Sequence, residues 1–512
     1  MKYDNIILIG KLFLISFFVL LIVSPDSYLC DPLVEHWDVS WFYTCGKAWM
    51  NGMTPYVDFA DSKGPLLWLI YGIGYLITPH SYIGIFWMSV LLYTFVFYFI
   101  YRIAYIFLKE KSQSLIIVLM MAASYFCMFY YNETRAEDWC QLFLAASFYR
   151  ICMFLYTEEG KSNSNLHITY FVLGISLAGT MMIKYNITIM LGISVLYVLY
   201  VLIRDNRNIL SFFILIICGM AIILLPFTLY MLTQADFGTF IQEYFINTLH
   251  TQDDHNNLSQ YIQEWLFLVW DTHFIILFAI CIIGSLLMSK QVINDKWFFL
   301  ISFLGFYAIA IHNCNTIVHY YLCICLFFPI WFCIAMTMRI KERKVIKLVT
   351  TIILCFTLLG NYITFGYIDG NRWFKDTQMR QDRYTMAWYM SQVKKPTIIY
   401  YKSSDIGLGI LSEGLPATRY WAYQGGASKA MAQQQKNAVE SGTADFIYTN
   451  NHEKPLFEND SVICASGYTE IYHGKLGKND YKFYTKHHLL PPPKNFHVRR
   501  LDILLRKNVF NY

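Results

Sequence analysis

Apolar residues gather in long unbroken runs near residues 5–24, 82–108, 114–131, 139–156, 166–183, 186–203, 209–232, 272–289, 297–312, 318–338 and 344–363. A helix crossing a bilayer needs about 20 predominantly apolar residues, so these runs predict eleven transmembrane helices. The first carries Lys2 ahead of it and Lys11 inside it, with no small-residue cleavage site before Asp26. It is therefore expected to remain as a span, unlike a removed signal peptide. A further run, Gly64–Thr78, has 15 residues and three glycines. That is short for a crossing and fits an interfacial or re-entrant helix.

Charge placement orients the chain. If Gly64–Thr78 does not cross, fifteen basic residues, from Lys2 and Arg102 to Arg343 and Lys347, fall on one side, and only Lys47, Lys63, Arg135 and Lys184 on the other. The positive-inside rule then predicts a cell-membrane protein with a cytoplasmic N-terminus. Three outer segments are too long or too charged to be simple connectors: residues 25–63, 132–138 and 233–271.

Composition agrees, with 56% hydrophobic and 15% charged residues and a mean hydropathy of +0.39. Residues 1–363 hold 20 Lys and Arg against 22 acids, and residues 364–512 hold 20 against 13. The chain is thus expected to divide at 363/364 into an all-α polytopic domain and a polar tail, which long-domain export would place outside. In the tail, the strand-like Thr397–Tyr401, helix-like Ala427–Glu440 closed by Ser441-Gly442, and strand-like Ala444–Thr449 predict a small α/β unit. No basic motif with interleaved aromatics supports nucleic-acid binding, and no internal repeat is visible.

The chemistry collects in the outer segments. The first offers Glu35, His36, Asp38, Asp58, Asp61 and Lys63 among aromatics, and Trp37, Trp41, Lys47 and Ala48 are spaced for a helix along the membrane surface. An aromatic belt with solvated acids accounts for the same composition. The second packs Glu133, Arg135, Glu137 and Asp138 between two spans, where charged helix caps are common. Lys184-Tyr185-Asn186 and His319-Tyr320-Tyr321 put ionisable groups at membrane depth, where they are costly and become functional candidates beside snorkelling or interfacial roles. His36, Asp38, Asp58 and Asp61 could hold a divalent metal ion, though without fixed ligand spacing. No phosphate-binding Gly-rich loop, HExxH, CxxC or GxSxG is present. Of thirteen cysteines, Cys30 and Cys45 share the first outer segment, which leaves a disulfide open.

The run from Asp38 to Tyr43, with Asn51-Gly52-Met53-Thr54-Pro55-Tyr56-Val57-Asp58-Phe59 and Asp61-Ser62-Lys63-Gly64-Pro65-Leu66-Leu67, resembles the first outer loop of GT-C-fold, polyprenyl-phosphate-dependent glycosyltransferases. Within that group it is most similar to bacterial relatives of protein O-mannosyltransferases and to lipid A aminoarabinose transferases. Ala136-Glu137-Asp138-Trp139 is similar to their second acidic motif, and His319-Tyr320-Tyr321-Leu322 to their His-Tyr before a late span. The chain departs from the commonest pattern in reading Lys63-Gly64-Pro65 and Trp37-Asp38.

The resemblance implies a sugar donor on a lipid phosphate, a hydroxyl acceptor on a glycan, lipid or protein, and inversion at the anomeric carbon. It implies Asp38 as the acceptor-activating base, with Glu35 as the competing position, and Glu137 or Asp138 as a second carboxylate. Lys63 and Arg135 would hold the phosphate, with Lys184, His319 and Tyr320 as further substrate-binding candidates alongside Asp58 and Asp61. Two readings from other classes are a flippase or transporter of the lipid-linked sugar, which predicts mid-span ionisable residues and broken helices, and a non-catalytic surface-polysaccharide assembly protein.

Overall fold

A computed structural model of the chain describes residues 2–24, 37–125, 134–234, 236–247, 329–340, 342–363, 378–403, 407–422, 429–450, 456–476, 479–493 and 496, with short helical pieces between 279 and 288. Among these residues, five stretches are long and apolar enough to cross a membrane: Asp4–Val23, Ile83–Leu108, Ala136–Tyr156, Asn163–Arg204 and Ile209–Thr233. They account for six of the expected runs, because Asn163–Arg204 comprises α7 (Asn163–Lys184) and α8 (Thr188–Arg204) joined by a 3-10 turn, Tyr185–Ile187. The helix Arg343–Ile363 matches another run. The run 297–312, and most of 272–289 and 318–338, lie outside the described residues. The chain is a multi-pass membrane protein. Its long helices turn whole apolar faces outward, as Leu210, Ile217, Leu225 and Leu232 do on one helix and Leu348, Ile352, Phe356 and Leu359 on another. A protein in water does not leave apolar patches of that size uncovered.

Packing divides the molecule into two compact units, each discontinuous in sequence. The first comprises residues 1–24, 88–229 and 252–368, and the second 25–87, 230–251 and 369–512. In the first unit, α1 (Lys2–Val23), most of α4 (Ile83–Leu108), α5 (Lys111–Tyr125), α6 (Ala136–Tyr156), α7, α8 and most of α9 (Ile209–Thr233) pack as helices. Small residues set the closest approach: a Cβ on Gly219 would lie 3.0 Å from the Ile175 backbone nitrogen, so α7 and α9 touch backbone to backbone. Where lipid tails are as apolar as leucine, such close packing replaces the hydrophobic drive between helices.

The second unit joins the stretch around α2 and α3 to the tail. Here α2 (Trp37–Met50) packs on α3 (Pro65–Ile77), a helix of 13 residues, which is too short to span. Glycine permits this contact, since a Cβ on Gly46 would lie 2.7 Å from the Trp68 carbonyl oxygen. The spacing of Trp37, Trp41, Lys47 and Ala48 predicts one covered face, but residues 39–48 of α2 are buried all round. The difference comes from the tail, which covers the side that α3 leaves open: the Trp41 and Trp421 rings stand 4.9 Å apart. Lys47 donates to the carbonyls of Gly409 and Ser412 at 2.6 and 2.9 Å. Those carbonyls lie at the end of the short helix Leu408–Leu411, where backbone acceptors lack helical partners.

The tail carries a five-stranded sheet in the order β2-β1-β3-β5-β4. β1 (Thr397–Tyr400) runs parallel to β2 (Leu415–Pro416) and β3 (Phe446–Asn450), while β5 (Asn479–Thr485) is antiparallel to β3 and to β4 (Thr469–Leu476). Alternation turns side chains to both faces of the sheet, and β1 and β3 are buried on both. Ile399 and Ile447 meet Val439 and Ile463 from the helices Lys429–Glu440 and Leu456–Ala465. On the other face Tyr400 meets Trp421, and Tyr472 and Tyr481 both donate to Asp382 of the helix Gln378–Ser391. The expected strands and helix of this region form with ends shifted by at most two residues, and Gly442 closes the helix at φ +67°.

Burial pushes the Lys47 ammonium down to about 8, against a smaller opposing pull from Glu413. A lysine depressed in the fold burdens the native state while it is charged. Between about pH 8 and its ordinary value the folded side chain is neutral, still able to donate, while the unfolded one remains protonated. The stability of the protein relative to its Lys47→Met variant should therefore rise from pH 8 toward pH 10.5 in thermal melts, and a falling difference would contradict the buried assignment.

Candidate active site

In the second unit, a tight loop between α2 and α3 presents the acidic residues. Asp58 accepts from the Thr54 backbone N–H at 2.6 Å, and the Tyr56 N–H donates to the Phe59 carbonyl at 2.7 Å. Tyr56 sits at φ +66°, a conformation that a bulky residue adopts only when its surroundings enforce it. Its ring lies 4.6 Å from that of Trp68 and its hydroxyl donates to the Lys63 carbonyl at 2.8 Å. The strained residue thus fixes the backbone that carries Lys63. The Lys63 Nζ donates to Ser62 Oγ at 2.9 Å and stands 5.9 Å from the centre of the Phe42 ring.

Asp61 is buried, and its Oδ1 accepts from the Ser62 backbone N–H at 2.6 Å and from Ser62 Oγ at 3.2 Å. Burial raises its carboxyl above the usual carboxylate range and the charge of Asp38 adds to this, while Lys63 and the Ser62 hydrogen bonds oppose it. Asp38, in the first turn of α2, is half-buried. Two carboxylates and one cation therefore share a local field, with the Asp61 carboxyl raised above its ordinary range.

The loop is held from behind by residues that sequence reading did not single out. The Ala60 N–H donates to the Arg419 carbonyl at 3.0 Å, and Arg419 Nε donates to the Val57 carbonyl at 3.3 Å. Arg419 Nη1 in turn pairs with the buried Glu243 at 3.3 Å, and the Tyr420 hydroxyl donates to Glu243 at 2.7 Å. The signal in the sequence was faint: one acid inside the aromatic run Phe237–Phe245, and Arg419-Tyr420 far along the tail.

In the first unit, Glu137 and Asp138 lie in the first turn of α6, where carboxylates meet the positive end of the helix dipole. Asp138 Oδ2 accepts from the Arg135 backbone N–H at 3.0 Å and its Oδ1 accepts from the Tyr93 hydroxyl. Glu137 pairs with Lys184, both buried. Lys184 is aimed by extended backbone, φ −153° and ψ 99°, at the start of the turn joining α7 and α8. The structure therefore brings Arg135, Glu137, Asp138 and Lys184 into one cluster, and Asp38, Asp61 and Lys63 into another.

Glu35, His319 and Tyr320 lie outside the described residues, as do His36 and Cys30. Cys45 is a free thiol, which burial pushes well above its ordinary value and so makes unreactive. Asp58 is spent on its own turn. Among the described residues no three His, Cys, Asp or Glu side chains come together as a metal site.

The Glu137–Lys184 pair makes a sharp test of this cluster. Removing one partner of a buried pair leaves an uncompensated charge and costs about 3–5 kcal/mol, whereas replacing both by apolar groups of similar size is near neutral. Glu137→Leu alone and Lys184→Met alone should each melt well below the parent, and the double variant should recover most of the loss. Additive losses would show that the two do not pair.

Three comparisons bear on these clusters. Residues 62–231, about a third of the chain, match the family model described as dolichyl-phosphate-mannose-protein mannosyltransferase. This stretch holds Lys63, Arg135, Glu137, Asp138 and Lys184. No curated protein matches the chain at the level of sequence. Among solved structures, the crystal structure of ArnT from Cupriavidus metallidurans bound to undecaprenyl phosphate is similar over 94% of this chain and 98% of that one, with a TM-score of 0.59 and 9% sequence identity. The chain thus has the GT-C fold, the fold of the polyprenyl-phosphate-dependent glycosyltransferases that its outer motifs resemble.

Proposed function

We propose that the protein is an integral-membrane inverting glycosyltransferase that moves a sugar from a polyprenyl-phosphate donor to a hydroxyl acceptor on the outer face of the membrane. The observation that carries this reading is the field that Asp38 of α2 and Asp61 of the following loop share with Lys63, on a backbone fixed by Tyr56 and Arg419. Asp38 takes the proton from the acceptor hydroxyl as its oxygen bonds to the anomeric carbon. The bond from that carbon to the phosphate oxygen breaks, and the leaving phosphate carries away the electron pair. Lys63 stabilises the charge that develops there. Asp61, beside Lys63, orients hydroxyls of the sugar or acceptor.

Arg135, in the first unit, is a further candidate for binding phosphate, able to hold two oxygens at once where lysine offers a point charge. Glu137 and Asp138 position Lys184 and Arg135. The loops carrying Asp38 and Arg135, together with the tail, face outward in this reading, supported by the fifteen-to-four partition of basic residues.

Substitutions separate the roles. Asp38→Asn keeps size but cannot accept the proton, so turnover with a labelled lipid-linked sugar should fall about 10²- to 10⁴-fold with donor binding retained. Lys63→Ala should weaken donor use about ten- to a hundredfold, since a charge-assisted contact is worth roughly 1.5–3 kcal/mol. Normal transfer by a folded Asp38→Asn protein would remove it as the base, and unchanged donor kinetics in Lys63→Ala would remove that residue from the site.

A further inference from the structure

A cavity of about 620 Å³ opens in the first unit where the beginning of α1 meets the end of α4 and the start of α5. It is lined by Lys11, Arg102 and Lys111, with Asp4 as the opposing acid and Tyr101 and Tyr105 at the side. Asp4 pairs with Lys111 at 3.3 Å, both largely exposed, an arrangement that contributes little by itself. Lys11 and Arg102 remain as excess positive charge. Lys11 lies about 13 Å along the axis from the first residue of α1, where every residue beyond Asn5 except Ser16 is otherwise apolar. A cation at that depth is costly without an anion, and among the described residues no carboxylate pairs with Lys11.

Arg102 is preorganised. Its guanidinium stands 5.7 and 5.2 Å from the ring centres of Tyr98 and Tyr149 and donates to the Tyr98 hydroxyl at 2.8 Å. The ring pair Tyr101–Tyr105 is stacked at 6.2 Å, and such amphipathic rings suit the headgroup level of a bilayer. Beside the cavity, α1 exposes an apolar strip through Ile7, Leu14 and Phe18. That strip can lie along acyl chains while the cations hold a phosphate.

We infer that this cavity binds the phosphate headgroup of an anionic phospholipid, with Lys11 and Arg102 as its charge partners and the α1 strip against its chains. The donor chemistry uses none of these residues, so the site is separate from the transfer reaction. The test is native mass spectrometry of the full-length protein released from nanodiscs holding equal amounts of phosphatidylglycerol and phosphatidylcholine. The protein should retain phosphatidylglycerol preferentially, and Lys11→Gln and Arg102→Gln should each reduce that preference about tenfold. Millimolar inorganic phosphate should not displace the lipid. Equal retention of both lipids by the unaltered protein would overturn the inference without any variant. Displacement by inorganic phosphate would make the cavity a free-anion site and overturn the lipid assignment. Should Arg102→Gln fail to fold, Lys11→Gln decides alone, because that side chain is exposed, and an unchanged preference in it would overturn its role.

Discussion

Charge taken out of water must find a partner, and this constraint orders the molecule more than any single apolar contact. A buried ion left alone costs several kcal/mol, whereas a pair of good geometry with further hydrogen bonds recovers most of it. Glu137 meets Lys184 for this reason at the junction of α6, α7 and α8. Lys47 meets the carbonyls of Gly409 and Ser412, and Glu243 meets Arg419 and Tyr420. Each pairing joins segments far apart in sequence, so the polar contacts fix the register of helices that apolar packing alone would leave free to slide.

The second unit shows the consequence for function. Its stretch from α2 to α3 is held against the tail. Arg419 holds the backbone at Val57 and Ala60, and Tyr56 spends a strained conformation to hold Lys63. Electrostatic catalysis depends on charges that are already in place when the reaction occurs. The tail therefore lends stiffness to the loop that leads into Asp61 and Lys63.

Much of this architecture was legible in the sequence because it depends on local pattern. The apolar runs marked the long helices, the 15-residue run Gly64–Thr78 marked a helix too short to span, and the β-branched and aromatic run Thr397–Tyr401 marked a strand. The acidic motif at Ala136–Asp138 was found as a helix start, and Lys184 as a cation at a turn. What escaped depends on distant contacts. Lys47 read as one polar position on a surface helix, because nothing local announces that residues 409 and 412 will cover it. Glu243 and Arg419 are 176 residues apart, and the hairpin β4–β5 was passed over although Tyr481 and Phe483 alternate with polar residues.

The central claim is that the protein breaks the bond between sugar and lipid phosphate and makes a new one to a hydroxyl. Purified full-length protein in vesicles, given a polyprenyl-phosphate sugar labelled in both the sugar and the lipid, tests it most directly. The account predicts that the sugar label becomes covalently attached to the acceptor with the anomeric centre inverted, and that free polyprenyl phosphate accumulates in equal amount. Appearance of the intact doubly labelled donor on the opposite leaflet, with no cleavage, would contradict it.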